Sequence, residues 1–127
     1  MRVEPFVQVD GTPFTATAAD VRGARGEPLR AERNAVGLNA LDYGDVVFRF
    51  QDNGRLEEVT ARAPVLHLGT VAVPIAALAG FVLAQDPQAF RRAGFVVSPA
   101  FGLAFDPAEP PWVTVLAAHC LAEWRAL

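Results

Sequence analysis

The segment from Tyr43 to Arg62, YGDVVFRFQDNGRLEEVTAR, constrains the fold of this sequence most strongly, because it predicts a β-hairpin. Apolar side chains occupy every second position of its first half, at Val46, Phe48 and Phe50, which is the period of a strand with one buried face. Asp52-Asn53-Gly54 follows, and Asn-Gly supplies the positive φ that tight hairpin turns require. The segment therefore predicts two antiparallel strands joined by a three-residue turn.

The second strand of this hairpin does not alternate regularly, since Leu56 and Val59 lie on opposite parities. One extra residue in the strand, a β-bulge at Glu57-Glu58, restores a single buried face. The predicted register then pairs Phe50 with Leu56, Phe48 with Val59, and Val46 with Ala61.

The residues before the hairpin predict a strand, a helix and a loop. Residues 6–10 alternate weakly and run into Gly11-Thr12-Pro13, which indicates an opening strand and a turn. Thr17 stands three residues before Asp20, a variant of the helix capping box, and Gly26 is typical of a helix end. Residues 29–40 have a mixed pattern that predicts a loop, with a strand at its end as an alternative.

The second half of the chain predicts short elements. A strand is expected over 65–68 and a helix from Pro74 to Gln85, with an apolar face that includes Ile75, Leu78 and Val82. A turn or short helix is expected over 86–92, followed by strands over 95–97 and 101–105. Residues 112–116 favour a strand and the following residues favour a helix, so the pattern leaves the type of the last element open.

These elements predict an α+β fold in a single domain covering residues 1–127. We expect one twisted, mostly antiparallel sheet with one or two helices packed on it. The uncharged stretch over 63–85 is long enough to span a bilayer. Pro64, Gly69 and Pro74 interrupt it, however, so we predict no membrane span.

Charge and cysteine content limit the partners and the compartment. The formal net charge is −3, and arginines and carboxylates are interleaved, whereas a nucleic-acid-binding protein needs a basic surface. We therefore expect no nucleic-acid partner. Cys120 is the only cysteine and the first residues lack a secretory pattern, so cytoplasmic localisation is predicted.

The sequence offers little catalytic chemistry, and we predict that the protein is not an enzyme. Ser98 lies in VVSPAF, which lacks the glycines of a nucleophile elbow and favours a turn. His119 and Cys120 are neighbours, but adjacent side chains diverge on a helix or a strand, which favours a buried cysteine beside a boundary histidine. His67 has apolar neighbours. Two histidines and one cysteine cannot complete a tetrahedral zinc site without a carboxylate, so neither a metal nor a cofactor is expected.

Carboxylates cluster on the hairpin and suggest a surface for a partner protein. An ordinary solvated face is the simpler interpretation, and an acidic surface that meets a basic partner is the functional one. Trp112, after two prolines, is either a core residue or an interface anchor. The candidate partner-binding residues are Asp42, Tyr43, Asp45, Asp52, Glu57, Glu58 and Trp112.

Residues 11–62 resemble two groups of small bacterial α+β proteins. The shared features are Thr17-x-x-Asp20-Val21, Gly26-x-Pro28 and the hairpin YGDVVFRFQDNGRLEEVT. One group contains the outer-membrane-assembly lipoproteins and β-lactamase-inhibitor-like proteins, although this chain shows neither an export signal nor a lipidation cysteine near its start. The other contains single-domain immunity proteins encoded beside secreted toxins. The resemblance implies a rigid domain that inhibits or sequesters another protein.

Three hypotheses follow. The first is a non-catalytic, immunity-type inhibitor that neutralises a cognate toxin. The second is a small-ligand-binding or enzymatic domain, with His67, Tyr43 and the RGARG segment (residues 22–26) around one pocket, where RGARG would hold a phosphate. The third is a structural protein that forms homo-oligomers.

Overall fold

The hairpin adopts the predicted register, including the bulge. In the computed structural model, which describes residues 1–35 and 37–127, Phe50 pairs with Leu56 and Arg49 pairs with Glu58. Glu57 is thus the extra residue of the second strand. The Gln51 backbone N–H donates to the Arg55 carbonyl at 2.9 Å, which closes the expected three-residue turn.

The hairpin lies in the interior of an eight-stranded sheet in which every neighbouring pair is antiparallel. The spatial order of these strands within the described residues is β10-β11-β12-β13-β7-β6-β5-β4. Their bounds are β4 Arg30–Arg33, β5 Asn39–Asp42, β6 Val46–Phe50, β7 Leu56–Arg62, β10 Phe90–Arg92, β11 Phe95–Ser98, β12 Leu103–Phe105 and β13 Trp112–Leu116.

A second sheet lies outside the predicted single sheet. Across the described ranges it has five strands in the order β3-β2-β1-β8-β9, and only the β1–β8 pair is parallel. The bounds are β1 Arg2–Glu4, β2 Gln8–Val9, β3 Thr12–Pro13, β8 Val65–Leu68 and β9 Val71–Pro74. β8 pairs with β1, more than 60 positions earlier in the chain. The local sequence pattern does not reveal a pairing between such distant segments.

Three α-helices occur in the part of the chain that the structure describes, one more than the upper expectation. They are α1 Ala18–Arg25, α2 Leu78–Gln85 and α3 Leu121–Ala126. Short 3₁₀ helices precede the last two, at Ile75–Ala77 and Ala118–Cys120. No helix among the described residues is long and apolar enough to cross a membrane.

The capping box predicted for α1 is present. The Thr17 hydroxyl accepts from the Asp20 backbone N–H at 3.1 Å, and the Asp20 carboxylate accepts from the Thr17 backbone N–H at 2.9 Å. Gly26 ends the helix with a φ of +81°, which a residue with a Cβ rarely adopts.

We expect Thr17→Ala to lower the free energy of unfolding by about 1 kcal/mol, because it removes the acceptor for the first turn of α1. Urea denaturation followed by circular dichroism measures the change. Thr15→Ala, at an exposed position just before the helix, is the matched control and should have less than half that effect. Equal losses in the two variants would contradict the capping role.

One buried cluster joins both sheets and two helices. It includes Val3 and Leu66 from the five-stranded sheet, Phe48 and Val59 from the eight-stranded sheet, and Leu78 from α2. We call this side of the eight-stranded sheet its inner face. The opposite, outer face carries alternate residues of the same strands, and a second buried cluster with Val97, Leu116 and Cys120 covers part of it.

Two other predictions about secondary structure are wrong. Arg30–Arg33, expected in a loop, is the edge strand β4, and Val36 of the same predicted loop lies outside the described residues. Phe90–Arg92, expected in a turn or helix, is the opposite edge strand β10. Both segments are edge strands whose side chains are mostly exposed, so neither needs the alternation of apolar and polar residues that marks a strand in the sequence.

Candidate functional site

A row of polar side chains crosses the outer face of the eight-stranded sheet on β6, β7 and β13. The Arg49 guanidinium donates to the Thr60 hydroxyl at 2.6 Å and lies 3.5 Å from the Glu58 carboxylate. The hydroxyls of Thr60 and Thr114 are 2.8 Å apart. Strand register produces this row, because Thr60 pairs with Thr114 and Arg49 with Glu58. The row holds these side chains in a fixed arrangement.

Aromatic side chains flank the polar row and form a groove of about 340 Å³. Phe95 from β11 and Trp124 from α3 meet edge to face with ring centroids 5.2 Å apart. Trp112, at the start of β13, also lines the groove, and the Arg62 guanidinium lies 6.0 Å from the centre of its ring. Phe95, Trp112 and Trp124 are all half-buried, so part of each side chain remains accessible to solvent.

The groove is acidic. Three carboxylates line it, those of Glu58, Asp106 and Glu109, against one guanidinium, that of Arg49. Burial raises the pKa of Glu58, while the Arg49 charge opposes that shift. This excess of negative charge attracts a cationic group. The aromatic rings beside the carboxylates can also bind a cation through cation–π contacts.

A second polar cluster joins the bulge of β7 to the 3₁₀ helix before α3. Glu57 is only 1% exposed, and its carboxylate contacts His119 Nε2 and lies 2.7 Å from the Cys120 sulfur. The Arg55 guanidinium lies 3.4 Å from the other carboxylate oxygen. The carbonyl of Glu57 also accepts from the Ala117 backbone N–H at 2.9 Å. The bulge thus directs an acidic side chain inward and fixes the end of the chain to the sheet.

The histidine and the cysteine of this cluster do not form a nucleophile and base pair. Each of them contacts Glu57, and the Cys120 thiol donates to that carboxylate. Burial, together with the Glu57 hydrogen bond and charge, raises the pKa of the Cys120 thiol well above its usual range. The thiol is therefore protonated at neutral pH and is a poor nucleophile.

The expectation that the hairpin carboxylates share one solvated face is wrong. Glu57 is buried, so it cannot belong to an exposed surface, and Glu58 lies in the groove paired with Arg49. Asp52, in the hairpin turn, forms an ion pair with Arg33.

The candidates that precede the hairpin strands are dispersed as well. Asp42, the last residue of β5, pairs with Arg30 at 3.1 Å, while Asp45 is exposed just before β6. The Tyr43 hydroxyl donates to the Gly26 carbonyl at 2.8 Å, so it contacts the RGARG segment. His67 is not part of that contact, because it lines a separate depression that includes Arg2. Of the seven candidate residues, Glu58 and Trp112 meet in the groove.

Sequence reasoning missed most of the groove and the Glu57 cluster. Arg49, Thr60 and Thr114 have the parity of an exposed strand face, and that parity was the available signal. The convergence of Glu57 with residues 119 and 120 has no such signal, because more than 60 positions separate them.

Comparison with known proteins identifies no matching family model, no similar curated protein and no similar solved structure.

Proposed function

We propose that this protein is a non-catalytic binding domain whose outer-face groove receives a basic segment of another protein. The observation that carries the proposal is the groove itself, in which three half-buried aromatic side chains lie beside three carboxylates. Tryptophan is enriched among the residues that dominate interface energies, and Trp112 is half-buried beside the groove. Acidic carboxylates would steer and hold a lysine or arginine side chain of the partner.

The more specific form of this proposal is an immunity-type inhibitor. Many toxins that act on nucleic acids or nucleotides have basic active sites, and an acidic groove would cover such a surface. We further propose that residues 1–127 act as one domain, which the shared buried cluster of both sheets supports. A cytoplasmic location is proposed from the sequence alone.

A small cationic ligand is a second candidate occupant. The volume of about 340 Å³ lies at the lower end of the range for ligand pockets, roughly 300–1,000 Å³. Self-association through the edges of the eight-stranded sheet has less support, because β4 and β10 each carry two arginines, which hinder edge-to-edge pairing.

The groove makes a direct prediction about charge. Hexa-arginine peptide should alter the tryptophan fluorescence of the protein, because both tryptophans line the groove, and added salt should weaken the effect. Hexa-glutamate peptide should have no effect. Trp112→Ala should weaken arginine-peptide binding by roughly thirtyfold, with Trp124 still reporting.

Two charge variants separate groove binding from general attraction to an acidic protein. Glu109→Arg changes the rim of the groove, whereas Glu32→Arg changes an exposed residue of the edge strand β4. We expect only the first to weaken binding of hexa-arginine strongly. If Glu109→Arg and Glu32→Arg bound hexa-arginine equally well, and Trp112→Ala bound it as well as the wild type, the groove would be refuted as the binding site.

A further inference from the structure

Three side chains with different metal-binding atoms converge behind the bulge of β7. A carboxylate oxygen of Glu57, a ring nitrogen of His119 and the sulfur of Cys120 all lie within 4.8 Å of one another. Zinc binds to proteins through these three atom types, with metal–ligand distances of about 2.0–2.3 Å. One ion could therefore contact all three atoms after small rotations of the side chains.

Burial makes the Glu57 carboxylate dependent on its partners. It is almost fully buried, and it contacts the Arg55 guanidinium at 3.4 Å and the His119 ring, both of which are partly exposed to solvent. A buried carboxylate is costly unless it is paired or coordinates a metal. His119 completes the arrangement, because its side chain is 29% exposed and leaves a route from solvent to the buried atoms.

We propose that Glu57, His119 and Cys120 form a zinc-binding site. This inference does not depend on the groove or its partner. The sequence did not show which carboxylate could complete such a set, and the structure brings Glu57, the extra residue of the bulge, to His119 and Cys120. A thiolate and an imidazole favour zinc over magnesium or calcium, which prefer oxygen ligands. Three protein ligands leave a fourth position for water or for a group of a bound molecule.

Binding exchanges protons for the metal. The Cys120 thiol loses its proton to solvent as the Zn–S bond forms, and the hydrogen bond from sulfur to Glu57 is lost. His119 binds through Nε2 in its neutral form, with the remaining ring proton on Nδ1. The metal's oxidation state does not change. Arg55 remains in contact with the second carboxylate oxygen of Glu57.

Cobalt(II) tests the site directly in the purified full chain. A thiolate bound to cobalt gives a near-ultraviolet charge-transfer absorption, and Cys120 is the only cysteine that can produce it. We expect a band that saturates at one cobalt per chain and disappears when zinc is added. Absence of this band in folded protein would overturn the proposal.

Variants test the two ligands other than Cys120, which the cobalt band reports on. His119→Ala changes a partly exposed residue and should reduce metal affinity more than about a hundredfold, and Glu57→Gln should reduce it while preserving side-chain size. His67→Ala removes the other histidine and is the matched control, with unchanged affinity expected. Zinc should raise the melting temperature of the wild type and of the control but not of His119→Ala. Equal zinc binding by His119→Ala would mean an adventitious ion only and would refute the site.

Discussion

Replacing Phe48 with alanine should lower the free energy of unfolding by about 4 kcal/mol. Phe48 is 1% exposed on β6, an interior strand of the eight-stranded sheet, and belongs to the cluster that joins both sheets. Its ring meets Tyr43 edge to face at 6.0 Å, and the Arg25 guanidinium lies 5.1 Å from its centre. The substitution leaves a cavity that strands hydrogen-bonded on both sides cannot easily collapse.

Urea denaturation followed by far-ultraviolet circular dichroism measures this loss. Leu29→Ala provides a control at a large apolar residue that is 76% exposed, and it should change stability by less than about 0.5 kcal/mol. Phe48→Leu should have an intermediate effect, because it leaves a smaller cavity. A loss below about 1 kcal/mol for Phe48→Ala would contradict the assignment of this residue to the centre of the core.

Replacing Asp86 with alanine should lower the free energy of unfolding by about 3 kcal/mol at neutral pH. Asp86 follows α2 and is 2% exposed. Its carboxylate accepts from the Ser98 hydroxyl at 2.7 Å and from the backbone N–H groups of Ala100 and Gln88 at 3.0 and 2.9 Å. Removing it leaves the buried Ser98 hydroxyl without this acceptor.

The effect of Asp86→Ala should depend on pH. Burial acts to raise the pKa of Asp86, but the hydrogen bonds from Ser98, Ala100 and Gln88 outweigh burial and hold it below its ordinary value of 3.8. A lowered carboxyl pKa contributes stability that is full above the ordinary value and is lost as pH falls through the folded value. The difference between wild type and variant should be constant from pH 5 to 8 and should shrink below about pH 4.

Denaturation curves at neutral and acidic pH measure this difference. Asp106→Ala is the matched control, because the Asp106 carboxylate also accepts a backbone N–H, from Ala108 at 2.9 Å, in an exposed setting. That variant should lose much less stability. A difference for Asp86→Ala that grows as the pH falls would contradict the hydrogen-bonded carboxylate.

Local sequence predicts the hairpin and the first helix because their determinants are local. Alternation and Asn53-Gly54 define the turn, and the parity conflict between Leu56 and Val59 requires the bulge that the structure contains. The capping box acts over three residues. The edge strand Arg30–Arg33 was missed because all four of its residues are exposed, and so no buried period marks it.

The candidate site was harder to predict because its parts come from distant segments. The sequence left Trp112 as either a core residue or an interface anchor, and the structure places it, half-buried, in the groove beside Glu58. Trp124 gave no signal of its own, because it reaches the groove only when α3 packs over the outer face. Glu57 looked like one of several surface carboxylates, and its burial depends on which way the bulge turns it. Contacts over such distances follow from topology rather than from local pattern.

Parallel affinity purification from the organism that encodes this protein tests the groove as a partner-binding site most directly. Tagged wild type, Trp112→Ala, Glu109→Arg and Glu32→Arg would be compared by quantitative and native mass spectrometry after each is shown to be folded. We predict a stoichiometric protein partner on the wild type and on Glu32→Arg, and its loss from the two groove variants. Recovery of the same partner in equal amounts on all four proteins, or of no stoichiometric partner on the wild type, would contradict the account.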